Sequence, residues 1–426
     1  MKKAALFLSL IVLLSACKDK FYNKYVAHVP VYMDFEMFRQ SGNFEGPKSI
    51  TEKGNIYIKD QYLFIVDPNE GIHFIDNSNP ASPSQIGFLN LIGTSGMAIK
   101  DNYLYVNSLI DLVVFDISNV FAPVEVARLE DQFPNALPVT DVNYPFTEID
   151  KSKGVVVAWE TKEVKEEVST NNPTWVGCAN CDFNVLPSKN LIAMESFAVS
   201  SDGGGSAVGI SGSISLFTIL NDHLYIMDNY SILSPISIAD PTNPIAHEKI
   251  ATWGEVETLF PYKEHIFMGT PSGILIYNTI NPNVPEYVSS LSHARGCDPV
   301  VVQDDIAYVT VRSGGPCGGD INQLDVIDVS NISTPILKSR FQMENPHGLG
   351  IDGNQLFICD GDAGLKVFDA SNPIDAGNNL IAKFKNIQAT DVIPFGDVAI
   401  LIGDDGIYQY DYADVNDIKL LSKIKF

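Results

Sequence analysis

The chain has 426 residues, a formal net charge of −24 and an apolar content of 45%. It is too long for one small domain and rich enough in apolar residues for a large core. The acidity is spread along the chain, as on a solvated exterior, and nucleic acid is excluded as a natural partner because phosphate binding needs clustered Lys and Arg.

The first element is MKKAALFLSLIVLLSAC. Lys2 and Lys3 form a positive n-region, and Ala4 to Leu14 an apolar run too short to span a bilayer comfortably. Leu14-Ser15-Ala16-Cys17 has the form of a lipobox. Residues 1–16 are therefore expected to be a removed lipoprotein signal. Cys17 is expected to carry lipid, and all that follows to lie outside the inner membrane. No later segment is apolar for long enough to be transmembrane. Residues 17–50 read as a tether. Within it YVAHVPVYM (25–33) alternates like a strand available to seal a ring, and Asp34 to Gln40 is the nearest approach to a helix.

From residue 51 one unit repeats. YLFIVDPNEGIHFIDNSNP (62–80) is followed by YLYVNSLIDLVVFDISNV (103–120), HLYIMDNYSILSPISIADPTNP (223–244) and HIFMGTPSGILIYNTINP (265–282). A longer version begins IAYVTVRSGGPCGGDINQLDVIDVSN (306–331). LFICDGDAGLKVFDASNP (356–373) and VAILIGDDGIYQYDYADV (398–415) complete the set. Each unit has a β-branched and aromatic strand, a Gly/Asp/Asn turn, a second strand, an (S/T)NP-like break and a further strand. NIYIKD (55–60) and GLGID (348–352) exemplify one more strand before each unit, making four. Asp76, Asp116, Asp240, Asn278, Asp328, Asp369 and Asp411 mark the period, with spacings of 40, 124, 38, 50, 41 and 42. Four-stranded units of about 40 residues predict an all-β fold, a β-propeller. The gap of 124 leaves room for a degenerate blade, starting TDVNYPFTEID (140–150) and GVVVAWETKEV (154–164), plus an insertion at about 161–212. The expectation is eight blades over 51–426, one degenerate, or seven if that segment does not close.

Propeller geometry turns the repeat into a map. With strands A to D running outward from the axis, D-to-A connections and B-to-C loops share one face. The SNPxxP turns lie on the other face, as rigid turns without functional weight. Starts of A strands approach the mouth of the central channel, which gives Asp141, Glu257, Asp298, His347 and Asp391 as candidate ligand-binding residues. Arg295 and Arg312 join them, being two of only five arginines. Acidic groups, one His and nearby Arg suit a polar ligand or a cation; equally, they suit satisfying backbone groups around the tunnel.

Six cysteines are present. Cys297 and Cys317 both project to the candidate face and are expected to form a disulfide. Its loop of about 20 residues would stabilise by roughly 3 kcal/mol. Cys178-Ala-Asn-Cys181 has a spacing that suits a zinc knuckle or redox pair. It lacks a second CxxC or a His pair, so a local disulfide clip is the expectation. Cys359, inside the apolar run LFIC, is the natural buried thiol. Neither a metal nor a cofactor is expected. Asp360-Gly-Asp362-Ala-Gly364 resembles a calcium loop, but its fifth position is Gly364 and its twelfth Ser371, so it reads as a hairpin turn. No GxSxG, HExxH or P-loop is present, and Gly203-Gly204-Gly205 reads as a linker.

Gly364-Leu365-Lys366-Val367-Phe368-Asp369-Ala370-Ser371-Asn372-Pro373 and Gln323-Leu324-Asp325-Val326-Ile327-Asp328-Val329-Ser330-Asn331 resemble the LVIVD repeat. With the lipobox, the chain is similar to the LVIVD-repeat lipoproteins of the Bacteroidota. That resemblance implies a β-propeller on an envelope lipoprotein, with outer membrane location and surface exposure as expectations. It implies no reaction and transfers no catalytic residue. The leading functional expectation is a binding scaffold for an envelope protein, a glycan or a small ligand. The alternatives are a hydrolase or lyase pairing His347 with Asp298 or Asp391, and a structural part of an envelope assembly.

Overall fold

The repeated apolar runs fold as antiparallel sheets. The computed structural model describes residues 21–141, 143–168, 208–292, 296, 299–314 and 319–426. The chain divides into two units, one of residues 1–34 with 140–186, the other of 35–139 with 187–426.

The second unit is a propeller of seven sheets. Blade 1 has strands A to D at Ile56–Lys59, Tyr62–Asp67, Gly71–Asp76 and Ser84–Asn90. Asn43–Glu45 adds a strand outside D, and Ile210–Ser211 one inside A. Blade 2 follows at Met97–Lys100, Tyr103–Ser108, Asp111–Asp116 and Val124–Leu129. Blade 3 has Phe217–Leu220, His223–Asn229, Ile232–Ser237 and a divided outer strand, Ile245–Ala246 and Ile250–Ala251. Blades 4, 5, 6 and 7 begin with the A strands Thr258–Tyr262, Val300–Gln303, Leu349–Asp352 and Ala389–Phe395. Each then runs through B, C and D in order, blade 7 ending at Lys419–Lys425. A strands of successive blades pack on one another, so they surround the axis. The apolar faces meet between blades. Ile56 and Ile58 of blade 1 share a cluster with Ile393 and Ile400 of blade 7, which closes the ring.

Local chemistry explains the repeat. The A-to-B turns open on a left-handed residue, and Asp60, Asp101, Asn221, Asp304, Gly353 and Gly396 are types that tolerate it; Lys263 is the exception. The seven period-marking residues each accept, on a side-chain oxygen, the backbone N–H two residues on, as in Ser78 to Asp76 and Ser371 to Asp369. That bond starts the C-to-D turn. Asp240 does so three residues beyond the end of its strand at Ser237, not at the strand end. Six of the C–D pairs carry a register shift, which sharpens the twist of the outer strand. Among the described residues the α-helix is Phe35–Arg39. Arg39 and Arg128 both donate to the fully buried Asp111 at the start of blade 2's C strand.

The segment expected to form a degenerate eighth blade does not. Val155–Val168 runs for 14 residues without a turn residue, so it cannot fold back into a blade. It pairs antiparallel with Phe21–Met33, the strand expected to seal the ring, over thirteen register pairs. The pair makes a two-stranded ribbon in the first unit. Two strands alone are marginal in water. This ribbon is braced within its length: His28 donates its N–H to the Pro145 carbonyl and stacks on Phe146, and Phe146 packs edge-on against Trp159. Among the described residues no helix is long and apolar enough to cross a membrane.

Candidate functional site at the channel mouth

The propeller axis is occupied by the chain itself. Residues Val208 to Ser215, VGISGSIS, thread past the inner strands of five blades. Gly209 donates its N–H to the Ile99 carbonyl of blade 2, and Ile210 and Ser211 pair with Ile58 and Tyr57 of blade 1. Ser213 Oγ donates to Asp391 Oδ1 of blade 7 at 3.2 Å and accepts the Leu349 N–H of blade 6 at 2.9 Å. The Ser215 carbonyl accepts the Leu259 N–H of blade 4. Ser211, Ser213 and Ser215 are buried, and Ile214 joins the main core cluster. Small residues permit this. A Cβ on Gly209 would lie 2.5 Å from the Tyr57 ring and 2.8 Å from the Ile58 carbonyl oxygen.

On the face of D-to-A connections and B-to-C loops, buried carboxylates tie the two kinds of loop together. Asp67 ends blade 1's B strand. It accepts the backbone N–H groups of Thr51 and Glu52, the Thr51 hydroxyl, and His73 Nε2 at 3.1 Å. Asp360 does the same in blade 6, accepting the N–H groups of Glu344 and Asn345 and a charge-assisted bond from Lys366. So the DGDAG turn is a hairpin connection, and its first carboxylate is engaged by the protein's own donors. Gly364 is required there, with φ +84 and the Phe384 carbonyl 1.8 Å from where a Cβ would sit.

Asp67 carries a pH dependence. Burial works against its charged form, but hydrogen bonds from His73 and Thr51 outweigh burial and hold the carboxyl below its ordinary range. A depressed native value means that the stability it supplies is present above the ordinary Asp range. That stability is lost as pH falls through the native value. Asp67→Asn should therefore lower Tm most near neutrality, with the gap to wild type narrowing from about pH 5 towards pH 2. Thermal melts across that range check it; a gap independent of pH would refute the assignment.

The structure distributes the candidate residues unevenly. His347 precedes blade 6's A strand, held by its N–H to the Cys359 carbonyl and by Thr310 Oγ1 donating to its own carbonyl. Burial first, then the positive charges of Arg312 and Lys53, push its imidazole down to about 3, so the ring is neutral at physiological pH. Its Nε2 is buried and makes no hydrogen bond. Arg312 directly follows blade 5's B strand, Ile306–Val311, so both side chains belong to the face predicted from the map. Asp391 is fully buried beneath the axial segment and takes the Ser213 hydroxyl and the Val392 N–H. Glu257 is buried just before blade 4's A strand, its N–H on the Gly269 carbonyl. Asp141 begins no inner strand: it falls in the ribbon unit, 3.4 Å from His28 Nε2. Cys17, Cys178, Cys181, Arg295, Cys297, Asp298, Cys317 and the Gly203–Gly205 run lie outside the described residues. Cys359 is a fully buried thiol, as its apolar run implied.

Two features were missed in the sequence. The axial segment lacks the strand-turn-strand pattern of a blade. The strapping carboxylates sit in turns that the sequence presents only as hairpin connections. Aligning LFIVDPNEGIH with LFICDGDAGLK would have shown Asp67 with His73 and Asp360 with Lys366 in matching columns.

The LVIVD repeat matches residues 53–90, 93–131, 296–343 and 347–375, which correspond to blades 1, 2, 5 and 6. No curated protein matches the chain in sequence. Among solved structures, the chain is similar to the periplasmic gluconolactonase PpgL of Pseudomonas aeruginosa. The identity is 9% and the TM-score 0.53, over 88% of this chain and 96% of that one. It is also similar to the computationally designed protein Ika8, with 11% identity and a TM-score of 0.50 over 90% of each chain. At these identities the likeness is one of fold alone.

Proposed function

Given a seven-bladed β-propeller that carries LVIVD repeats in four of its blades, we propose that it is an envelope lipoprotein, anchored through Cys17 and acting as a non-catalytic binding scaffold. Its working face is the one that carries the D-to-A connections and B-to-C loops. The observation behind this reading is the filled axis. A hydrolase or lyase using Asp391 would need that carboxylate open to substrate, and here it is fully buried and bonded to Ser213 of the protein's own chain. What remains accessible on the face is loop surface, including Arg312 and Gly314 at the start of blade 5's B-to-C connection. A rigid ring with variable loops on one face is suited to recognition. Outer membrane location and surface exposure are part of the proposal and rest on the lipobox and the repeat.

The test is capture from detergent-solubilised envelopes. The full chain should retain a partner. Arg312→Ala should reduce that retention at least about tenfold. If nothing retained depends on Arg312, the proposed face is wrong.

A further inference from the structure

The most exposed large apolar side chain among the described residues is Trp253, at 79%. It lies in the connection from blade 3 to blade 4, after the divided outer strand. A loose loop would explain such exposure, but this loop is tightly held. Thr252 donates its N–H to the Ser231 carbonyl and its hydroxyl to the Gly254 carbonyl, and Val256 donates its N–H to the Tyr230 carbonyl. The indole is therefore presented, not disordered. Its ring centroid is 5.7 Å from that of Tyr287, which is 42% exposed, and the two planes are inclined by 38°. Tyr287 is fixed in turn. It pairs in register with Tyr277, whose buried ring meets it edge-on at 5.8 Å, and its hydroxyl donates to Ser290 Oγ. Beside the indole, a Cβ added to Gly254 would meet nothing within 4 Å, so the space there is open.

We propose that Trp253 and Tyr287 form a stacking platform for a neutral oligosaccharide, a proposal that rests on the scaffold reading above. Three observations select this ligand class. Two aromatic rings about one sugar unit apart match the apolar C–H faces of adjacent pyranose rings. The polar residues near them in sequence, Thr252, Glu255, Glu286 and Ser290, are neutral or acidic, and none is positive. Lys249, the nearest lysine in sequence, is turned away to Asp228 and the Gln132 carbonyl. Sulfated or uronic-acid glycans and anionic lipid would therefore be repelled. Finally, two rings are far less than the roughly 800 Å² per side that a stable protein interface buries.

The experiment uses the full-length protein in detergent on an array of neutral, sulfated and uronic-acid glycans, followed by calorimetry with any neutral hexasaccharide retained. Neutral glycans should bind and acidic ones should not. Trp253→Ala should weaken binding by about thirtyfold and Tyr287→Ala by about tenfold, while Trp253→Phe should retain most of it. Trp253→Ala should melt with wild type, since the side chain lies outside the core. A blank array, binding confined to acidic glycans, or unchanged affinity in Trp253→Ala would overturn the proposal. If the array is blank and an envelope partner is still captured, the platform fails and the scaffold stands. If capture of a protein is lost in Trp253→Ala, the pair is a protein contact and the glycan assignment is wrong.

Discussion

Replacing Asp360 by Ala should destabilise the propeller by about 3–5 kcal/mol, the range for removing one partner of a buried ion pair. The carboxylate is fully buried and Lys366 is 9% exposed. Without Asp360, two backbone N–H groups of the connection into blade 6 lose their acceptor, and Lys366 keeps only Glu344 at 3.3 Å. The damage should come from uncompensated donors more than from lost attraction. Two comparisons separate these terms. Asp360→Asn keeps an acceptor and should cost less, while Asp360→Leu with Lys366→Met removes both charges but still leaves the two N–H groups without an acceptor, and so should recover only the part due to the unpaired Lys366. Urea midpoints of the four proteins decide it. A wild-type midpoint for Asp360→Ala would show that the strap does not hold blade 6.

The second large effect should follow Gly209→Val. The added side chain meets the Tyr57 ring and, at 2.8 Å, the Ile58 backbone carbonyl, which cannot move without breaking blade 1's inner strand. Overpacking of this kind typically costs about 1–3 kcal/mol. A larger loss is expected here because displacing the segment also breaks the bonds of Ser213 to Asp391 and Leu349. Blades 1 and 7 share no strand. Besides core packing, their seam is held by the reciprocal amide bonds of Asn77 and Gln409, by Ser422 Oγ on the Pro80 carbonyl, and by the Lys53–Asp404 pair. The axial segment adds a second tie, since it bonds to both blades. Gly209→Val should therefore raise amide exchange in the inner strands of blades 1 and 7 ahead of blades 3 and 5. Ser213→Ala, which deletes one hydroxyl, should cost only about 1–2 kcal/mol. A Gly209→Val protein that melts with wild type would remove the axial tie from the account.

The repeat was legible because each blade solves the same local problem with the same residues. An alternating strand, a turn tolerant of positive φ and an Asx bond at the next turn leave a period of about 40 residues, so the four-stranded blades and the loop faces could be read, although Asp240 marks the turn and not the end of its strand at Ser237. What could not be read has a common cause: it depends on partners far away in the chain. GVVVAWETKEV looks like a blade strand by composition, and its assignment to the ribbon was decided by Phe21–Met33. VGISGSIS has no periodicity because its eight residues bond in turn to five different blades. The same limit held for the candidate residues. His347 and Arg312 could be placed on the face from repeat position alone. Asp391 was placed by repeat position, but its burial depends on Ser213, 178 residues away. Asp141 was misplaced once its blade proved to be a ribbon.

The axial segment also bears on the order in which the molecule can be made. During synthesis, Val208–Ser215 emerges after blades 1 and 2 and before every residue of blades 4, 6 and 7. Its bonds to blade 6 and blade 7 span 136 and 178 residues. Contacts so distant in the chain are formed late, since the entropy of closing the intervening loop must first be overcome. A nascent chain can thus seat the segment on blades 1 and 2, but the bonds to Leu349 and Asp391 must wait until those strands have been translated. Truncated chains lacking blade 7 would leave Ser213 without its carboxylate and the apolar flank of blade 1 uncovered, so a prematurely terminated product is set to aggregate instead of persisting as a shorter propeller.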